Sequence, residues 1–152
     1  MAVTLQRNRP IANDELNALR GAAWTQVGDQ DWRPILRRSL GWVCAVDGDR
    51  LVGFVNVAWD GGVHAFVLDT TVHPDYQRRG IGRELVHEAA ALSRERGAEW
   101  LHVDYDDDLD AFYRGCGFRP TPAGLIDLTQ PGPDVSRRDE ARDQTGAESS
   151  GS

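Results

Sequence analysis

Apolar positions along this chain recur with two periods, one of about 3.6 residues and one of about 2. Val3-Thr4-Leu5 predicts a short strand that ends near Pro10. Asn13-Asp14-Glu15 is a helix-start cluster, and Leu16, Leu19 and Ala23 follow at helical spacing. Gly28-Asp29-Gln30-Asp31 predicts a loop flanked by Trp24 and Trp32, and Pro34 suits the first turn of a second short helix that runs to Leu40. The period then changes. Residues 42–46 and 51–58 predict two strands joined at a hairpin turn, Asp47-Gly48-Asp49. Asp60-Gly61-Gly62 turns the chain into a longer strand, residues 63–72. A helix over residues 83–96 places Leu85, Val86, Ala89, Ala90 and Leu92 inward, with Gly97 just past its end. Residues 100–104 predict a strand. Asp106-Asp107-Asp108 then caps a helix holding Leu109, Phe112 and Tyr113, which Gly115-Cys116-Gly117-Phe118 closes. Two last strands are expected over residues 118–121 and 125–128.

Beyond Thr129 no aromatic residue occurs, and Val135 is the only large aliphatic. Residues 1–128 are therefore expected to form one domain and residues 129–152 a disordered tail. The formal charge of −7 argues against a nucleic-acid footprint. It suits either simple solubility or a cationic small-molecule partner. Two cysteines, Cys44 and Cys116, are too few for a disulfide framework and fit a reducing cytoplasm. No apolar run approaches the roughly 18 residues of a membrane span, and no signal-like apolar stretch opens the chain, so no membrane partner is expected. The four histidines and two cysteines show no metal-ligand spacing, and no metal site is expected.

The densest chemical signal is Gln77-Arg78-Arg79-Gly80-Ile81-Gly82-Arg83, which follows a strand and opens a helix. A glycine-bearing turn at a helix start leaves several backbone N–H groups pointing one way, an arrangement suited to a pyrophosphate. A Walker A loop needs a lysine, and this chain has none; a dinucleotide fingerprint needs a third glycine where Leu85 stands. Gln-x-x-Gly-x-Gly after Val72-His73-Pro74-Asp75-Tyr76 instead resembles the coenzyme A signature of the GCN5-related N-acetyltransferase (GNAT) family. Further on, Asp108-Leu109-Asp110-Ala111-Phe112-Tyr113-Arg114-Gly115-Cys116-Gly117-Phe118 resembles that family's Ala-x-x-Tyr-x-x-x-Gly-Phe helix. The element order agrees over residues 3–128.

The resemblance implies a mixed α/β fold, with a mostly antiparallel sheet splayed between two parallel strands and flanked by helices. It implies an N-acetyltransferase that moves the acetyl group of acetyl-CoA directly to a primary amine. The acceptor is expected to be a small cationic metabolite, with a protein N-terminus or lysine as the alternative. A CoA-binding module without turnover is the competing class. The main chain of Thr70, Thr71 and Val72 would meet the pantetheine arm, and the loop from Gln77 to Arg83 would wrap the pyrophosphate. Arg78, Arg79 and Arg83 either add charge there or are ordinary solvated surface. Asp106 stands where relatives place a CoA-contacting asparagine, and it could equally cap the following helix. Many relatives are homodimers, so a homodimer is compatible with the resemblance.

For the chemistry, Tyr113 is expected to protonate the leaving thiolate. The alternative is a core aromatic, although Phe112 is the more natural residue for the core. The base is left among His102, Asp69 and Asp104, with His64 a weaker candidate. His102 takes the position where some relatives carry a glutamate. Asp69 stands in an otherwise apolar strand, where a carboxylate needs a reason. Asp104 shares a strand face with His102 by alternation, while His64 alternates away from Asp69. Trp24, Trp32 and Trp59, with Asp60, Asp69 and Asp104, could cradle a cation, or the tryptophans could be core.

Overall fold

A computed structural model describes residues 2–25 and 27–132. The expected disordered tail lies outside the described residues apart from its first four positions, 129–132. Strand β1 is Thr4–Arg7, followed by helices α1 (Asn13–Ala23) and α2 (Arg33–Arg38). Strands β2 (Gly41–Asp47), β3 (Arg50–Trp59) and β4 (His64–Val72) come next, then helix α3 (Ile81–Glu95), strand β5 (Trp100–His102) and helix α4 (Asp110–Gly115). The five strands make one sheet in the order β1-β2-β3-β4-β5. The first three pairings are antiparallel and β4–β5 is parallel.

Period-2 alternation supplies two cores, one on each sheet face. Val43, Ala45, Val55, Val57, Ala65 and Val67 pack under Ile81, Leu85, Ala89 and Leu92 of α3. Those four helix positions repeat as one stripe, which is why α3 lies flat on the sheet. On the other face Cys44, Val46, Leu51 and Phe54 meet Leu16 and Leu19 of α1, together with Trp32. Gly53 permits the close approach of α3, because a Cβ there would lie 3.0 Å from Leu85 and from Ala45. Gly97, at φ 92°, ends the helix region as expected.

Three expected features differ. Strand β5 stops at His102, not Asp104, because beyond it the chain diverges from β4 and has no ladder partner. The two terminal strands do not form. Residues 118–128 are irregular up to a turn in which Asp127 accepts from Thr129. Pro120, Pro122 and Gly124 leave no run able to sustain a ladder. The compact unit containing the sheet spans Met1–Pro120. Among the described residues no helix is long and apolar enough to cross a membrane.

Candidate active site

Strand β4 changes character along its length. It pairs with β5 only from His64 to Phe66, so its edge from Val67 onward has no neighbour strand. On its other edge the register steps: Asn56 faces Leu68 and Phe54 faces Thr71, which leaves Val55 opposite both Asp69 and Thr70. This is a β-bulge, and Asp69 adopts φ 58° to make it. The His73 N–H donates to Val52 C=O at 2.8 Å, toward β3. Strand alternation therefore turns the Val72 N–H toward the open edge.

The strand runs into the glycine loop through a short 3₁₀ turn, Pro74–Tyr76. Gln77 Nε2 donates to Val72 C=O at 3.1 Å and fastens the loop to the strand. Arg78 and Gly80 adopt φ of 63° and 80°. Gly80 occupies the N-cap of α3 without a side-chain cap bond. The first paired donor of the helix is the Glu84 N–H, to Gly80 C=O at 3.0 Å. Among the described residues no backbone N–H from Arg78 to Arg83 finds a backbone acceptor. Gly82 is needed for contact: a Cβ there would lie 3.3 Å from the Phe112 ring. The Arg79 guanidinium donates to Asp75 C=O at 3.1 Å and lies 5.0 Å over the Tyr76 ring. Arg78 and Arg83 are exposed, and among the described residues neither side chain has an ion-pair or hydrogen-bond partner. Converging N–H donors and two free guanidiniums form a donor set that fits the pyrophosphate of CoA.

Tyr113 is buried at 6% exposure, whereas Phe112 is only half-buried, which reverses the expected core choice. Phe112 is drawn instead to the bare backbone of Gly82. The Tyr113 ring stacks on Tyr105 with centroids 4.8 Å apart and meets Phe118 edge-on at 5.7 Å. Burial pushes the Tyr113 phenol above its ordinary value, helped by Cys116 and Asp104 and opposed by the Thr70 hydroxyl. Thr70 Oγ1 is buried without a hydrogen-bond partner. The phenol is its neighbour, but at a geometry that does not make the bond. Tyr105, which no sequence motif marks, is anchored by its hydroxyl to Asp110 at 2.9 Å.

The α1 face of the sheet carries the acceptor-side candidates. Asp69 is accessible from the open cleft, yet desolvation still raises its carboxyl, against the Arg20 charge and a bond from the Asn56 side chain. Asn56, 1% exposed, accepts in turn from Ser39 Oγ at 2.6 Å. Trp24, 49% exposed, donates through Nε1 to Thr71 Oγ1 at 3.3 Å. Thr71 Oγ1 itself donates to Asp69 C=O at 2.9 Å, so the end of α1 is tied to the bulge. His102 is exposed, and its ring stacks on Phe66 at 4.7 Å. His64 lies on the same sheet face as Asp69, contrary to simple alternation, because the bulge shifts the parity of β4.

Other expected residues are not brought together. Trp32 is core, with Nε1 donating to Asn17 at 3.1 Å. Trp59 packs on the α3 face, under the Arg96 guanidinium at 5.3 Å, away from Trp24. The Asp60 carboxyl is held below its ordinary value by the Gly62 N–H, and the His64 N–H adds to this, so it serves its own turn. Asp106 makes no side-chain cap bond. Asp104 is exposed beyond the end of β5. Among the described residues no three His, Cys, Asp or Glu side chains converge as metal ligands. Asn56 and Tyr105 are the additions; only their three-dimensional neighbours mark them.

Comparison with known proteins bears on this arrangement. The chain is 36% identical over 103 residues to the N-alpha-acetyltransferase RimI of Mycobacterium tuberculosis, covering 61% of this chain and 65% of that one. It is 33% identical over 76 residues to an uncharacterized N-acetyltransferase, ycf52, of Porphyra purpurea, covering 50% of this chain and 44% of the relative. It thus spans less than half the length of that relative. Among solved structures, a GNAT-family protein, SP0256 of Streptococcus pneumoniae, superposes with a TM-score of 0.69 at 28% identity, covering 84% of this chain and 99% of that one. Residues 7–118 match the acetyltransferase (GNAT) family, so the chain belongs to that family.

Proposed function

We propose that this protein is an N-acetyltransferase that passes the acetyl group of acetyl-CoA to a primary amine. One observation carries the reading: the edge of β4 that opens after Phe66 leads directly into a loop whose N–H groups from Arg78 to Arg83 are unpaired. A pantetheine arm can bond along the edge as an added strand would, and its pyrophosphate can end on the loop. Acetyl-CoA supplies the activated acyl group. The chain's own residues hold and protonate. The Thr70 and Thr71 main chain lines the arm, and the Val72 N–H is aimed to stabilise an oxyanion. Arg78, Arg83 and the Gln77–Gly82 backbone hold the phosphates, and Arg79 braces the loop. Tyr113, kept protonated by burial, gives its proton to the departing thiolate.

The acceptor is a small cationic amine, supported by the Asp69 carboxylate and the Trp24 ring, whose residues are linked through Thr71 on the α1 face. A polypeptide amine is the second reading. It is favoured by the likeness to RimI and by the exposed apolar pair Phe66 and Leu68, each 39% exposed. Calorimetric titration with acetyl-CoA and CoA, with ATP as control, tests the cofactor. A thiol-release screen over amines and peptides then tests the acceptor. Micromolar acetyl-CoA binding with no ATP response supports the reading, and absence of CoA binding overturns it. Binding without turnover of any amine would mark a CoA-responsive module instead.

A further inference from the structure

We infer that His64 and His102 form a two-ring proton relay at the point where β4 and β5 part. The inference rests on the acetyl-transfer reading above. His64 Nδ1 and His102 Nε2 are 2.9 Å apart across the parallel ladder. The rings are tilted, with centroids 5.1 Å apart. Phe66 stacks on His102 at 18° to its plane and fixes that plane. The register pairs His64 with Trp100 and Phe66 with His102, so this contact sits on the last rung before the strands diverge. His102 is exposed and His64 is half-buried. The charged residues of the flanking segments are Asp60 in the β3–β4 turn, Glu99 just before β5 and Asp104 just after it. Asp60 accepts from the His64 backbone N–H at 3.3 Å.

A bond between two neutral imidazoles leaves one outer nitrogen bare and the other protonated. With His102 Nε2–H donating to His64 Nδ1, the bare nitrogen is His102 Nδ1, on the exposed ring. An acceptor ammonium transfers one N–H proton there, and the nitrogen keeps the electron pair that attacks the thioester. The His102 Nε2 proton crosses to His64 Nδ1, and the His64 Nε2 proton leaves to water. The pair ends neutral with its bond reversed, and exchange with water at both outer nitrogens restores the first arrangement. His102 is the catalytic residue in this scheme. His64 is a positioning residue that fixes the tautomer of His102 and receives its proton.

The test uses the full chain. Imidazole nitrogen NMR is followed through a pH titration of the wild type, His64→Phe and His102→Ala, with His64→Gln as a second variant should the first fold poorly. Acetyl-CoA calorimetry and pH profiles of kcat/KM accompany it. The wild-type spectra should show His64 Nδ1 and His102 Nε2 sharing one proton, a signature absent from both variants. His102→Ala should lower kcat/KM about 100-fold or more, the scale of a general base. His64→Phe should shift the acidic limb of the profile, and the double variant should lose no more than His102→Ala alone. Facing nitrogens that share no proton, or losses that add, overturn the relay while acetyl-CoA binding persists. A wild type that binds no acetyl-CoA overturns the acetyl-transfer reading, and the relay falls with it.

Discussion

The Tyr76 hydroxyl donates to Asp47 Oδ2 at 2.5 Å, which ties the entrance of the glycine loop to the β2–β3 hairpin. The Tyr76 ring also lies under two guanidiniums, Arg50 at 5.7 Å and Arg79 at 5.0 Å. The loop thus inherits its position from a rigid hairpin. Tyr76→Phe keeps the ring and removes the bond. Acetyl-CoA affinity should fall about threefold to tenfold, the worth of one hydrogen bond, with a lowered melting midpoint. Asp47→Asn keeps an acceptor and should cost less. Calorimetry and thermal melts on both variants check this.

Tyr113→Phe should leave acetyl-CoA affinity within about twofold and lower kcat about 100-fold or more, as expected for loss of a general acid. Burial raises the Tyr113 phenol, so the folded protein holds this proton more tightly than the unfolded chain does. Its contribution to stability is complete below the unfolded phenol value of about 10 and is lost as pH rises through the higher folded value. A pH–rate profile should accordingly keep the acid form active to at least about pH 10. Activity in Tyr113→Phe equal to wild type would remove the assignment.

Gly80 and Gly82 should fail for different reasons. Gly80 sits at φ 80° with open space around it, so Gly80→Ala strains the backbone by about 1–2 kcal/mol. Gly82→Ala instead presses a methyl on Phe112, the neighbour of Tyr113. Denaturant unfolding should show the Gly80→Ala loss. Steady-state kinetics should show Gly82→Ala reducing kcat as well as CoA affinity.

Cys44 is fully buried, and burial pushes its thiol up to about 12. Cys116 is half-buried, and its thiol is raised by the same cause. At about pH 8 a thiol reagent should label Cys116 slowly and leave Cys44 untouched until denaturant is added. Because the folded state holds the Cys44 proton more tightly, stability should decline between the unfolded value, about 8.5, and about 12. Cys44→Ala should flatten that decline. Native labelling of both thiols would contradict this placement.

What could be read from the sequence was whatever is local. The loop glycines, the apolar stripe of α3 and the hairpin at Gly48 each depend on neighbours within a turn or two. The His64–His102 contact depends on a parallel pairing that joins residues 38 positions apart, and no local pattern encodes it. The Tyr113-for-Phe112 exchange arose because Gly82, on another helix, offers Phe112 a surface. Trp24 and Trp32 have the same residue type and similar loop settings, but only the packing of α1 decides that one faces the cleft and the other the core. Strand β5 looked longer than it is because alternation continues where its partner has already turned away.

The bulge at Asp69 and Thr70 acts on β4 as a half-period phase slip. Upstream, odd-numbered positions such as Ala65 and Val67 point to the α3 side; downstream, Thr71 points to the α1 side. A single strand therefore serves two layers in succession. Its side-chain identities near the slip can be exchanged more freely than its length. Removing one residue there would restore a continuous ladder and leave the rest of β4 on its present partners in β3, yet it would abolish the bulge that lets the strand serve both layers.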